Sequence, residues 1–176
     1  MKIRFVLTGT IAAAGAIFIW GIISHLILPW HEWTMTLFTN SEQVLETIRV
    51  NAEQNGIYYI NEGVFTVVNL LPGLPDQTQM IGGNLALQFG TNLDVAFLLA
   101  LAMLGINCRT ILGRAGFTAM LGLAAGIAIH GAHWNWYGFT PAYTIVNTLD
   151  LAIAWFLAGL VLAVLARKML PTPDAA

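Results

Sequence analysis

Charge is what this chain lacks most. Of its 176 residues only 9% are charged, while 57% are hydrophobic; soluble domains run at about a quarter charged. A water-soluble fold of this length cannot hide so much apolar surface behind so few charges, so a bilayer is the expected solvent. Cysteine occurs once, at Cys108. That excludes an internal disulfide, a CxxC redox pair and a cysteine zinc cluster, and the residue is expected to be a small buried apolar one near the end of a helix. Internal repeats, low-complexity tracts and an HExxH helix are all missing, and Gly82-Gly83 lacks the spacing of a phosphate-binding loop. Nucleic acid is not an expected partner.

What is present are four apolar runs long enough to cross a membrane, which takes roughly 20 residues each. The first is Phe5 to Leu28, behind Lys2 and Arg4. The second is about Asn92 to Cys108, with Thr91 and Asp94 spaced as a capping box at its start. The third is about Ala115 to His133. The fourth is Pro141 to Ala166, opened by Thr140 as N-cap and Pro141 at the first helical position and closed by Arg167 and Lys168. The expected fold is an all-α membrane protein: a four-helix transmembrane bundle forming one membrane domain over residues 1–176. A cleaved signal peptide is the rival for the first run, but that run is longer than a signal core and has no small-x-small site after it.

The bases decide the orientation. Lys2, Arg4, Arg109, Arg114, Arg167 and Lys168 fall at one set of helix ends and only Arg49 at the other. By the positive-inside rule both termini are expected to be cytoplasmic. The outer side then holds Glu32, Glu42, Glu46, Glu53, Glu62, Asp76 and Asp94, whereas the inner side holds Asp174. A solvated surface accounts for those outer acids.

Residues 30–91 form an outer segment too long to be a structureless loop. Asn40 and Gln43 start a helix whose apolar stripe is Val44, Leu45, Ile48 and Ala52, and Asn55-Gly56 stops it. Ile57 to Ile60 and Val64 to Leu71, around Asn61-Glu62-Gly63, read as a β-hairpin closed by Pro72-Gly73-Leu74-Pro75. This segment is a small extracytoplasmic α+β cap of one short helix plus a hairpin. Met80 to Gly90 fits a third strand, a re-entrant piece or an early start of the second span. Trp30, Trp33, Trp134, Trp136 and Tyr137 gather at the same level and read as an interfacial aromatic belt.

All four histidines map to the outer half. Ala119, Gly122, Gly126, His130 and His133 share one face of the third span, with Gly122 and Gly126 as a close-packing GxxxG step. Asn147, Asp150, Ala154 and Ala158 form what looks like a matching face on the fourth, with Asp150 more than two turns inside. An ionisable group at that depth calls for a partner or a wet cavity; His25, His130, His133 and Asn147 are the candidates. His25, His130 and His133, with His31 or Asp150, are candidate ligands of a transition metal or a haem. Interhelical hydrogen bonding with no cofactor is the default. The same geometry would bring His25 up to His130 or His133. No catalytic residue is assigned, because His130-Gly131-Ala132-His133 lacks a general base and Ser24 beside His25 is no sign of a nucleophile.

Trp20-Gly21-x-x-Ser24-His25-x-x-x-Pro29-Trp30-His31, Gly56-Ile57-Tyr58 and Trp134-Asn135-Trp136-Tyr137-Gly138-Phe139 together resemble a group of small hypothetical bacterial membrane proteins. The resemblance covers most of the chain, implies an inner-membrane protein and supplies no activity. The leading expectation is therefore a non-catalytic accessory, assembly or stabilising subunit, in contact with lipid and with a membrane-protein partner or further copies of itself. A metal- or haem-binding protein is the alternative, and a lipid-headgroup enzyme the third.

Overall fold

A computed structural model describes residues 1–60, 64–68, 77–108 and 110–170. The expected turn at Asn61-Glu62-Gly63, the run from 69 to 76 with its Pro72 stop and Asp76, Arg109 and Asp174 lie outside the described residues. The chain is mostly helical with one two-stranded sheet, and it divides into two compact units, Met1–Thr34 with Asn84–Ala176, and Met35–Gly83.

The second unit holds α2 (Ser41–Asn51) and the antiparallel strands β1 (Gly56–Ile60) and β2 (Val64–Val68). Asn40 caps α2 as its spacing predicts: its side chain accepts from the Gln43 amide at 3.1 Å. The strands pair from Gly56 opposite Val68 to Ile60 opposite Val64.

The first unit contains four helices long and apolar enough to cross a membrane: Lys2–Ile27, Gly82–Gly105, Ile111–Tyr137 and Pro141–Met169. They belong to α1 (Lys2–Ile22, extended by a π-turn at Ile23–Ile27), α3 (Gln77–Gly105), α4 (Ile111–Tyr137) and α5 (Pro141–Met169). Two caps are local and explain themselves. Thr110 accepts from the Gly113 amide at 3.0 Å, which starts α4 earlier than the apolar run alone suggests, and Thr140 accepts from the Tyr143 amide at 3.1 Å. Between α4 and α5 the backbone reverses at Gly138, whose φ of 71° is the left-handed conformation that glycine adopts at least cost.

Helix α3 departs from expectation. It begins at Gln77, so the proposed cap at Thr91 lies mid-helix, where the Thr91 hydroxyl bonds the Gln88 carbonyl at 2.8 Å. The early-start alternative for Met80 to Gly90 is the one observed. Asp94 is therefore no outer-surface acid: it stands twelve residues after Gly82 and eleven before Gly105, midway along the apolar helix. Cys108 is partly exposed rather than buried, because the chain leaves the helix before reaching it.

Helix α5 is the centre of the bundle and uses two faces. Thr148, Leu151, Ala152, Trp155 and Gly159 meet α4, where a methyl added at Gly126 would lie 2.9 Å from the Thr148 Cα and one at Gly122 2.8 Å from the Leu151 carbonyl. Ala154, Ala158, Leu162 and Ala166 instead join Phe5, Ala13, Ala14 and Ile17 of α1 and Ala96, Leu99, Ala100 and Met103 of α3 in one core. Gly122 and Gly126 thus pack as expected, but against a different stripe from Ala154 and Ala158. Successive helical residues are rotated by about 100°, so positions one or two apart face different neighbours.

Gly126→Leu should cost about 1–3 kcal/mol through overpacking against Thr148, seen as a lower melting temperature in detergent. Gly15→Ala, whose added methyl meets nothing within 4 Å, should leave that temperature unchanged or raise it.

Candidate functional site

The C-terminal end of α1 is shaped by Pro29. Proline has no amide hydrogen and disfavours a helical residue before it, and Leu28 accordingly adopts φ −86° and ψ 129°. The last turn widens into the π-turn Ile23–Ile27, with the Leu28 amide bonded to the Ile23 carbonyl at 3.0 Å. Single π-turns recur at functional sites. The chain then folds back: the Trp33 amide bonds Pro29 O at 3.2 Å, and the Thr34 hydroxyl bonds His31 O at 2.7 Å. That return places Trp30 and His31 against Ser24.

Helix α5 supplies the charge. Asp150 Oδ1 accepts from Trp20 Nε1 and from Ser24 Oγ, both at 2.6 Å. Ser24 is wholly buried, and its oxygen also receives Trp30 Nε1 at 3.0 Å and meets His31 Nε2 at 3.0 Å. The proton inventory fixes the roles. A hydroxyl has one hydrogen, and an ionised carboxylate only accepts, so that hydrogen points at Asp150. His31 Nε2 must then carry a hydrogen and donate to Ser24. With its hydrogen on Asp150 and not on His31, Ser24 departs from the serine–imidazole–carboxylate order of a catalytic triad, and the contacts clamp α1 to α5. Asp150 Oδ2 lies 3.8 Å from His31 Nε2, and no other donor among the described residues reaches it. His25 stacks on His31 with ring centroids 4.1 Å apart and planes 20° from parallel. His25, His31 and Asp150 each offer a ligand atom, all within 4.8 Å of one another.

The structure sorts the expected site residues into two groups. His25, His31 and Asp150 come together, and they are the one such cluster of three among the described residues. His130 and His133 stand apart from it in an aromatic group: their rings are 5.7 Å apart, His130 is 6.0 Å from Tyr143, and His133 stacks on Phe139 at 5.3 Å. The Nδ1 atoms of both are buried without a hydrogen-bond partner among the described residues. Among the described residues no group of three ligand atoms joins His25 to His130 or His133, although Asp150 lies within electrostatic reach of His130. The reason is rotational: Asp150 lies on the α1 side of α5, and the turn at Pro29 supplies His31 before α4 can supply a histidine.

Trp20 and Ser24 hold the Asp150 carboxylate, a role that sequence reasoning did not assign to them. Their i, i+4 spacing on one face of α1 was a usable signal. Trp30 belongs to this network as well as to the aromatic level, whereas Trp33, Trp134, Trp136 and Tyr137 are exposed, as an interfacial belt requires.

Burial and the neighbouring His25 hold His31 below its ordinary pKa, with Asp150 pulling the other way. Neutral His31 is consistent with its single Nε2 hydrogen bonded to Ser24. On unfolding, the ring regains its ordinary value of about 6.5. Between the lowered folded value and 6.5 the unfolded chain binds more protons, so stability falls as pH drops below about 6.5. The melting temperature in detergent should therefore decline from pH 7.5 to pH 5, and His31→Gln should flatten that decline. Ser24→Ala removes a donor to Asp150 and the acceptor of His31 together; the expected loss is about 1–3 kcal/mol, read from melting at pH 7.5.

Compared with known proteins, the chain matches no protein-family model, no curated protein and no solved structure, so its role has to be read from these side chains.

Proposed function

We propose that this is a multi-pass protein of the bacterial inner membrane, with both termini in the cytoplasm, that serves as a non-catalytic accessory subunit bound to another membrane protein. The placement of lysine and arginine supports the orientation, and the clamp at Ser24 supports the lack of catalysis. Asp94 carries the accessory role.

Asp94 is exposed on α3 and points away from the face that carries Ala96, Leu99, Ala100 and Met103. Its neighbours on that outward surface are Leu87, Phe97, Leu98 and Leu101, all exposed. Such a surface suits lipid except at the carboxylate. Asp94 sits at the midpoint of a 24-residue span, whose length of about 36 Å slightly exceeds the hydrocarbon core of roughly 30 Å. A charge near the bilayer centre costs about 2.5–3.5 kcal/mol even on the lenient insertion scales. Nothing among the described residues bonds to Asp94 to offset that cost. A partner helix bringing a basic or hydrogen-bond-donating side chain to mid-depth would.

A second copy is the weaker fit for that partner. The chain's own lysines and arginines lie outside the apolar spans or at their ends, so a copy brings no cation to Asp94. The occupant is a transmembrane helix of a different polypeptide.

A photo-crosslinking amino acid at Leu98 tests this in intact cells. One defined adduct is expected, with a membrane protein that carries a basic or amide side chain within a spanning helix. The adduct should vanish in Asp94→Leu and should not form from Ile11 on α1. Crosslinks to lipid alone, or to a second copy alone, would overturn the proposal.

A further inference from the structure

We infer that His25, His31 and Asp150 form a binding site for a divalent transition-metal ion of the zinc class, open to the outer face. This goes beyond the accessory role, concerns different helices and does not depend on any partner at Asp94.

The carboxylate is the first argument. Trp20 and Ser24 both donate to Oδ1 and so fix the orientation of Asp150, which is how ligating carboxylates are commonly held. Oδ2 is left free of hydrogen bonds among the described residues and faces His31 Nε2 at 3.8 Å. That gap exceeds the roughly 2.7–3.2 Å of an N–H···O hydrogen bond. An ion bonded to both atoms at about 2.1 Å fits between them once the ring turns its nitrogen from Ser24 toward Oδ2.

The second argument is that the network tolerates the change. For Nε2 to ligate, the His31 proton moves from Nε2 to Nδ1, with no change in the ring's net charge, and the ring turns, because this nitrogen has a single in-plane binding direction and it is aimed at Ser24 Oγ. Ser24 Oγ then loses one donor and keeps Trp30 Nε1 at 3.0 Å, and its own hydrogen stays on Asp150. No buried group is stranded.

His25 completes the set, but not in its stacked pose. A metal lies close to the plane of each imidazole that binds it, and two nearly parallel rings 4.1 Å apart share no such point. His25 therefore turns out of the stack to ligate. It is exposed and sits in the π-turn, so nothing packed has to move. Two imidazoles and one carboxylate, with no thiolate, select zinc, copper(II), nickel or cobalt over calcium or magnesium. The fourth position is left to water on the exposed side.

Equilibrium dialysis of the chelator-stripped full chain in detergent against Zn²⁺, with Co²⁺ absorption as the geometric readout, decides the matter. One ion per chain and a tetrahedral cobalt spectrum are expected. His25→Ala, at an exposed position, and Asp150→Asn, which still accepts from Trp20 and Ser24, should each weaken binding by about tenfold or more. The His130→Ala/His133→Ala double variant should bind as the unaltered chain does. Absence of a stoichiometric ion, retention of full affinity in both single variants, or loss of binding in the double variant would each overturn the assignment.

Discussion

Asp150 is the fixed point of this molecule. A carboxylate more than two turns inside an apolar helix must be answered by donors, and it is answered by Trp20 and Ser24 of α1. Those bonds tie the first spanning helix to the last, and they set the rotation of α1 about its axis. Trp30 and His31 then close on Ser24 from the turn at Pro29. The contacts at this end of α1 follow from satisfying one half-buried carboxylate.

The same constraint divides α5 between two jobs. Its α4-facing stripe is built for proximity, with Thr148, Ala152 and Gly159 meeting Ala115, Thr118, Gly122 and Gly126 so closely that an added methyl would collide. Between apolar helices in lipid, such close van der Waals packing takes the place of the hydrophobic effect. Its α1-facing stripe has Asp150 toward the N-terminal end of α5, followed by Ala154, Ala158 and Leu162. A polar clamp above an alanine-rich seam gives that pair a defined register, which apolar contact alone specifies poorly. Among the described residues α3 has no comparable polar tie to the bundle, and it carries its one acid, Asp94, outward.

The sequence patterns that survive comparison with the structure are local ones. Asn40 and Thr140 cap helices because a short polar side chain can reach the amide three residues on. Two antiparallel strands pair where runs of β-branched and aromatic residues predict them. The start of α3 was obscured because Gly82, Gly83 and Gly90 weaken the helical pattern and Thr91 with Asp94 imitates a cap. Asp150 was recognisable as needing a partner. Which partner was not, since His25, His130, His133 and Asn147 were all eligible by depth.

By itself, the sequence determined that the chain has four apolar helices, a small α+β segment after the first, and its bases gathered at one set of helix ends. These properties depend on composition and on contacts between residues a few positions apart. Only the tertiary structure decided that Asp150 faces α1, that His25 pairs with His31 while His130 and His133 stand apart, and that Asp94 looks outward from mid-helix. Those outcomes depend on how each helix is rotated against its neighbours, and that rotation is set by packing summed over a whole helix face.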